Sequence, residues 1–294
     1  MSYSISIIIP HKNIPKLLER CLKSIPERED IQVIIVDDNS DKKYKKNFPG
    51  LARPNTKVFF SEKSLTAGGA RNVGLSNAEG KFVMFTDADD FFHDHFYQTV
   101  EPFFDKDFDL VYFGMDSVFS DTLLPAKRAS GIISLLEKAS KKDEESINMI
   151  RYKFLYPSCK LIKRALIEKE SIRFDEVPAS NDTMFGVKVA TYSKKIYFNP
   201  NVIYCLTYRE NSLVTSYTYQ TLKSRLLVSF KLYDFLKAIG KEKYAQSSVS
   251  HLMQIRHVSY LKVFKDLFFV IKKLPLKVVL DQFYNYLKSL LNAK

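Results

Sequence analysis

The sequence is poor in the features that mark disulfide-rich, secreted or membrane-spanning proteins. Its three cysteines, Cys21, Cys159 and Cys205, are odd in number, far apart and without the paired spacing of a metal site. No stretch approaches the roughly 20 consecutive apolar residues of a membrane-spanning helix, and the apolar run at 5–10 is too short for a signal peptide. These absences predict a cytosolic protein with reduced thiols, either soluble or peripheral on a membrane.

Positive charge is present in excess, and it is unevenly distributed. The 294 residues carry a net charge of +12, and residues 218–294 contain 14 Lys or Arg against 4 Asp or Glu. Almost all of the excess therefore lies in the last quarter of the chain. This asymmetry predicts that the last quarter has a partner different from that of the remainder.

The first half of the chain alternates short β-rich runs with helical patterns, which predicts an α/β fold. Strands are predicted at 4–10, 32–37, 57–61, 81–86, 108–115 and 196–204. Helices are predicted at 14–25, 67–77 and 181–193, and from about 219 to the end with breaks near Gly240 and at Pro275. Because the first strands are apolar throughout, they favour a parallel sheet covered on both faces. Residues 120–150 show no readable pattern.

Carboxylates follow two of these predicted strands directly. Asp37-Asp38 ends the second strand, and Asp87-Ala88-Asp89-Asp90 follows the fourth. In open α/β sheets, ligands bind beyond the carboxyl ends of the strands. Three acids within four residues favour a hard divalent cation, which in turn binds diphosphate oxygens. The alternative is a helix N-cap with acids in its first turn.

Two further segments have both a functional and a local interpretation. Asp38 could accept from the N3–H of uracil or from a ribose hydroxyl, while residues 36–40 are equally typical of a turn. The glycines of 67–72 would let the backbone approach an anion at a helix N-terminus. The alternative for 67–72 is a helix start packed closely against the sheet.

The order of four motifs is more informative than any one of them. They are Ile7-Ile8-Ile9-Pro10-His11-Lys12-Asn13, Ile34-Ile35-Val36-Asp37-Asp38-Asn39-Ser40, Ala70-Arg71-Asn72-Val73-Gly74 and Phe85-Thr86-Asp87-Ala88-Asp89-Asp90. Over about the first 100 residues, this succession resembles the family 2 glycosyltransferases with the GT-A fold. The resemblance implies a nucleotide-binding α/β domain with a mixed, mainly parallel central sheet.

The same resemblance implies roles for individual residues. Asp38 would contact the uracil or equivalent base with Pro10 beside it, and Arg71 would lie near the base and diphosphate. Asp87 would approach the ribose, and Asp89 would ligate Mn²⁺ or Mg²⁺. No catalytic role is predicted for Asp90.

A later segment resembles the region that carries the family's catalytic base. Family members have a Glu-Asp pair at the start of a helix, and here Asn181-Asp182 occupies that place. Asp182 would take the proton from the acceptor hydroxyl as it attacks the anomeric carbon. The alternative is that Ser180 or Asn181 caps the helix and Asp182 only interacts with its dipole.

Besides Asn181, two positions depart from the family's pattern. Residues 208–216 resemble its Tyr-Arg-x-His-x-x-Ser segment, which closes over the donor diphosphate. Arg209 is kept there, whereas Asn211 stands where His is common. Lys12 stands where Tyr is more frequent, which weakens the expectation of a residue stacked on the base.

The last quarter of the chain has the pattern of basic amphipathic helices. Residues 258–273 and the segment after Pro275 place apolar residues at helical spacing, with lysines between them. Such helices can bind an anionic membrane surface, which would suit a lipid-linked acceptor. The alternative is that they pack on the catalytic domain or in an oligomer.

The sequence therefore predicts a metal-dependent, inverting glycosyltransferase of bacterial surface-polysaccharide synthesis. Its predicted donor is a UDP-sugar, and it is not expected to bind nucleic acid. The predicted catalytic domain is 1–217, with a donor-binding half at 1–105 and an acceptor-side half at 106–217, and a basic helical extension follows at 218–294. One alternative is a nucleotidyltransferase, although residues 8–12 lack the glycine-rich loop that it would require. The other is a nucleic-acid-binding protein that uses the basic helices.

Overall fold

The computed structural model of the chain describes residues 3–139, 143–209 and 217–291. The chain forms two compact units. The first comprises Met1–Glu176 and Phe185–Arg209, and the second comprises Val177–Met184 and Glu210–Lys294. The functional boundaries predicted at 105 and 217 stay predictions.

An eight-stranded mixed sheet organises the first unit. Its strands are β1 Ile5–His11, β2 Ile31–Asp37, β3 Thr56–Phe60, β4 Phe82–Phe85, β5 Phe91–Phe92, β6 Leu110–Phe119, β7 Lys160–Lys163 and β8 Ile196–Tyr208. They lie in the order β3-β2-β1-β4-β7-β6-β8-β5. Strands β3, β2, β1 and β4 are parallel, as are β6 and β8, whereas β7 and β5 pair antiparallel to their neighbours. The predicted α/β class with a mixed, mainly parallel sheet is confirmed.

Helices accompany the sheet along the chain. They are α1 Pro15–Lys23, α2 Thr66–Ser76, α3 Phe96–Val100, α4 Ser130–Ala139, α5 Glu144–Lys153, α6 Arg164–Lys169 and α7 Thr183–Tyr192. Every residue of β1 and β2 is buried, as expected for parallel strands covered on both faces. Helices α4 and α5 lie in the stretch that the sequence left unassigned. Asp143 caps α5 by accepting from the Ser146 N–H at 2.9 Å.

Helix α2 lies close to β1 because one of its positions has no side chain. A Cβ atom at Gly74 would meet the Ile8 side chain. We expect Gly74→Ala to destabilise the protein by about 1–3 kcal/mol, although Ala is the better helix former. Thermal and urea unfolding followed by circular dichroism would measure this effect.

A matched control for that substitution lies in α4. A Cβ atom at Gly131 would meet nothing within 4 Å, so Gly131→Ala should stabilise the protein by up to about 1 kcal/mol. Equal effects at the two glycines would contradict the close approach of α2 to β1.

The second unit is helical where the structure describes it. Its long elements are α8 Tyr219–Ala238, α9 Ser248–Gln254, α10 Tyr260–Lys273 and α11 Leu276–Leu291. Helix α8 ends just before Gly240, which has a φ of +67°, and Pro275 separates α10 from α11, so both predicted breaks are confirmed. Leu226, Leu252 and Val270 are fully buried in the core of this unit. None of the described helices is both long and apolar enough to cross a membrane.

Candidate active site

A loop of carboxylates joins β4 to β5. Asp87, Asp89 and Asp90 each place a carboxylate oxygen within 4.8 Å of the others. Like charges this close repel one another in a site of low dielectric, so the loop requires compensating positive charge or protons.

Asp90 anchors this loop from within. It is 1% exposed and accepts from the Tyr204 hydroxyl at 2.6 Å and from the Thr207 N–H at 2.7 Å. Burial, together with the charges of Asp89 and Asp87, raises the pKa of Asp90 well above its ordinary value. Asp90 therefore fixes the loop to β8, while its two neighbours remain more accessible.

Two arginines neutralise the other carboxylates. Arg71, on α2, donates to Asp87 at 2.5 Å, and Arg209, directly after β8, donates to Asp89 at 3.0 Å. Arg71 is itself buried and lies over the Phe174 ring, 5.3 Å from its centroid. The Asp87 side chain is 41% exposed and that of Asp89 is 19% exposed, so a ligand can reach both. The structure thus brings together four of the predicted site residues.

The donor set of the loop fits a hard divalent cation. Three carboxylates supply the oxygen ligands that Mg²⁺ and Mn²⁺ prefer, and the spacing of their oxygens is short enough for one ion. Asp90 already accepts two hydrogen bonds, which leaves Asp87 and Asp89 as the more available ligands. Binding an ion at Asp89 would require Arg209 to share or release that carboxylate.

A second group of potential ligands lies on neighbouring strands. Asp116 on β6 stands opposite Cys205 on β8, and the His93 Nε2 atom lies 3.0 Å from an Asp116 carboxylate oxygen. Nitrogen and sulfur donors suit softer ions than the loop of three carboxylates does. Sequence reasoning missed this group because its members are more than twenty residues apart along the chain.

Asp38 is linked to the start of the helix that carries Arg71. Its carboxylate accepts from the Leu65 N–H and from the Ser64 hydroxyl at 3.2 Å, and Lys12 Nζ lies 3.2 Å away. Only 6% of Asp38 is exposed. Lys12, which replaces the more usual Tyr, is therefore an ion-pair partner of Asp38 in this structure.

Pro10 lies next to this group in the sheet. It is on β1, opposite Val36 of β2, and the Asp38 N–H donates to the His11 carbonyl at 2.8 Å. The ends of β1 and β2 are therefore held in register, which fixes Pro10 and Asp38 at the same edge.

Asp37 has a structural role beside Asp38. It is fully buried, lies 2.8 Å from His11 Nδ1 and accepts from the Ser40 N–H at 2.9 Å and from the Ser40 hydroxyl at 2.5 Å. Burial alone would raise the pKa of Asp37, but the hydrogen bonds from His11 and Ser40 outweigh it and lower that pKa below 3.8. Asp37 thus holds the turn that presents Asp38.

We expect Asp37→Asn to destabilise the protein by about 1–3 kcal/mol at neutral pH, because the charged acceptor is lost. A lowered folded-state pKa stabilises the protein above the ordinary value of 3.8, and this contribution is lost as the pH falls through the folded pKa. The difference between variant and wild type should therefore shrink in acid. Urea unfolding between about pH 7 and pH 3, followed by circular dichroism, would measure it.

The exposed Asp41 provides the control for that prediction. Its side chain is 59% exposed, and Asp41→Asn should change the free energy of unfolding by less than about 0.5 kcal/mol. An effect of Asp37→Asn that stays constant with pH would contradict the interpretation of its charge.

The remaining residues singled out from the sequence are Asp182, which belongs to the second unit, and Asn211. Asp182 directly precedes α7. It is partly buried, and its neighbours in the chain, Asn181 and Thr183, are buried. Its role as catalytic base stays a prediction. Asn211, and the rest of the segment that follows Arg209 as far as residue 216, lie outside the described residues.

Three supporting residues were not anticipated from the sequence. Tyr204 and Thr207 hold Asp90, and Arg20 on α1 donates to the Asp89 carbonyl at 2.5 Å. Arg20 also donates to the Ser120 carbonyl at 3.0 Å. These contacts join positions far apart along the chain, and no local motif marks them.

Comparisons with known proteins agree with this geometry. The model of the glycosyl transferase family 2 matches residues 6–170, which is more than half of the chain. The Staphylococcus aureus poly(ribitol-phosphate) beta-N-acetylglucosaminyltransferase TarS is 24% identical over 254 residues, covering 81% of this chain and 40% of TarS. The glycosyltransferase GlyG of Streptococcus pneumoniae is 25% identical over 282 residues, covering 90% of this chain and 89% of GlyG. The chain thus spans less than half the length of TarS.

Solved structures share the fold. TarS residues 1–349 in complex with UDP-GlcNAc superpose with a TM-score of 0.64 at 23% identity, covering 87% of this chain and 73% of that one. The mannosyltransferase PcManGT from Pyrobaculum calidifontis, in complex with GDP-Man and Mn²⁺, gives 0.52 at 15% identity, covering 91% and 79%. The predicted GT-A fold is confirmed. Because the family model spans the strands and loops that carry Asp38, Arg71 and the carboxylate loop, the chain belongs to glycosyltransferase family 2.

Proposed function

We propose that this chain transfers a sugar from a nucleotide-sugar donor, a UDP-sugar, to a glycan or lipid-linked glycan in bacterial surface-polysaccharide synthesis. One observation carries the proposal: Arg71 and Arg209 pair with Asp87 and Asp89 around a single loop at the end of β4. Such a loop offers both ligands for a cation and hydrogen-bond donors for an anion, at the sheet edge where α/β folds bind nucleotides.

The arginines and the carboxylates of this loop would stabilise the negative charge of the leaving nucleoside diphosphate. Arg71 and Arg209 would donate charge-assisted hydrogen bonds to its phosphate oxygens as negative charge develops. Mn²⁺ or Mg²⁺, held by Asp89 with Asp87 and Asp90 beside it, would supply further neutralisation of the diphosphate. PcManGT, which has the same fold, was solved with GDP-Man and Mn²⁺.

The nucleoside would lie at the ends of β1 and β2. Asp38 would accept from the N3–H of uracil or from a ribose hydroxyl, beside Pro10, and Asp87 would approach the ribose. Asp38 already accepts from the Leu65 N–H and the Ser64 hydroxyl. A nucleobase at this position would therefore use the remaining acceptor capacity of the Asp38 carboxylate or displace the Ser64 hydroxyl.

The acceptor would be activated by Asp182. As general base it would take the proton of the acceptor hydroxyl while that oxygen attacks the anomeric carbon and the nucleoside diphosphate departs. A single displacement inverts the anomeric centre, so an α-configured donor would give a β-linkage.

We place the reaction in the cytoplasm, with the basic residues 258–294 on the inner face of the cytoplasmic membrane when the acceptor is lipid-linked. TarS carries poly(ribitol-phosphate) in its name, which makes an anionic glycopolymer one acceptor class to test. An oligomer is the alternative use of the same helices.

A donor screen tests the proposal. UDP- and GDP-sugars, including UDP-GlcNAc, would be incubated with the protein and Mn²⁺ or with EDTA, and nucleoside diphosphate release would be measured. We expect release from one donor class that EDTA abolishes. If no donor turns over, and if Asp89→Ala binds nucleotides as wild type does, the proposed function is wrong.

A further inference from the structure

Helices α10 and α11 expose an unusual amount of apolar surface. On α10, Leu261, Phe264 and Phe268 are 82%, 71% and 74% exposed. The exposed large apolar residues of the two helices, here named the apolar stripe, are Tyr260, Leu261, Phe264, Phe268, Ile271, Leu276, Leu280, Tyr284, Leu287, Leu290 and Leu291. Apolar patches of this kind mark interaction surfaces.

The apolar stripe adjoins the residues of the same helices that pack inside the second unit. At roughly 100° per residue, its members fall within an arc of about 100–120° on each helix. Val270 of α10 and Val279 of α11 are buried in the core of the unit and lie outside that arc. On each helix the apolar surface is therefore wider than the part that packs in the core, whereas the apolar face of an amphipathic helix on a protein surface ordinarily packs against the core.

Lysines border the apolar stripe. Lys265 and Lys272 on α10, and Lys277 and Lys288 on α11, are exposed and lie just beyond one end of the apolar arc of their own helix by helical spacing. Asp266 does not offset them, because it is 2% exposed and paired with Lys223. The exposed Asp281 lies on the same side of α11 as Lys277 and offsets one of the four charges. Four exposed lysines against one exposed aspartate leave a net positive charge beside the apolar stripe.

We propose that the apolar stripe is a membrane-contact surface that lies in the headgroup region of an anionic bilayer. Apolar side chains beside a row of lysines match the acyl boundary and the anionic headgroups, and the exposed Tyr260 and Tyr284 suit the interface between them. A second copy of the chain fits less well, because interfaces between proteins are depleted in lysine. This proposal rests on the proposed function and adds an anionic lipid surface to it as a partner.

The absence of tryptophan permits a direct test. Phe268→Trp would place a single indole on the apolar stripe, and Leu124→Trp, at a residue 62% exposed in the first unit, is the matched control. We expect the emission of Phe268→Trp to shift to the blue with phosphatidylglycerol-containing vesicles and to be quenched by brominated acyl chains. Leu124→Trp should show neither change.

Two further variants in the Phe268→Trp background separate the contributions of the lysines and of the apolar side chains to vesicle binding. Replacing Lys265, Lys272, Lys277 and Lys288 by Gln should lower partitioning onto anionic vesicles at least about tenfold. Phe264→Ser with Leu287→Ser should lower it on vesicles of any charge. Unchanged far-ultraviolet circular dichroism would exclude unfolding as the cause.

Other outcomes would overturn the proposal. A blue shift without vesicles that grows with protein concentration would assign the apolar stripe to a second copy of the chain. Equal responses of the two tryptophan variants to vesicles would show that the apolar stripe is not the surface that contacts the membrane. Neither donor nor acceptor is present in these measurements, so their failure is distinguishable from failure of the proposed transfer reaction.

Discussion

Replacing Asp89 by Asn is expected to lower sugar transfer at least about 100-fold, because the proposed ligand of the activating cation and the partner of Arg209 are lost together. The substitution keeps the shape of the side chain and removes its charge. Asp90 and its bonds to Tyr204 and Thr207 remain, so the loop should keep its fold. Initial rates measured across a Mn²⁺ titration would show a weakened metal dependence as well as a lower kcat.

Two further substitutions sharpen that prediction. Asp94→Asn, at an exposed position shortly after the same loop, should retain the activity and the Mn²⁺ dependence of wild type. Asp116→Asn alters the separate group formed with His93 and Cys205. If Asp116→Asn abolishes the Mn²⁺ dependence while Asp89→Asn retains it, the activating ion does not bind at the carboxylate loop.

Replacing Asp182 by Asn is expected to lower kcat about 100- to 10,000-fold, the range that general-base catalysis supplies. The KM for the donor should change little, because the proton that Asp182 takes belongs to the acceptor. The variant should also lose the acidic limb of the pH–rate profile, which reports ionisation of the base. Steady-state rates across pH, with donor and acceptor varied in turn, would test all three expectations.

Asp234, exposed on α8 in the same unit, gives the control for that measurement. Asp234→Asn should leave the rate and the pH profile unchanged. An Asp182→Asn enzyme that keeps the acidic limb at a reduced rate would indicate that Asp182 supports the start of α7 and that another group is the base.

Much of the first unit as far as the carboxylate loop could be predicted from the sequence because its signals are local. The apolar runs of β1, β2 and β4, and the acids that follow β2 and β4, are contiguous along the chain. Helices α4 and α5 could not be predicted, because weak amphipathic patterns in short segments become stable helices only through tertiary packing.

The sequence by itself determined the α/β class, the order of the four motifs and the concentration of positive charge in the last quarter. Only the tertiary structure decided how the carboxylate loop is neutralised. It buries Asp90 against Tyr204 and Thr207 and pairs Asp87 and Asp89 with arginines from α2 and from the end of β8. It also decided which apolar residues of α10 and α11 are exposed. The physical reason is that burial and ion pairing depend on contacts between distant segments, and folding alone brings those segments together.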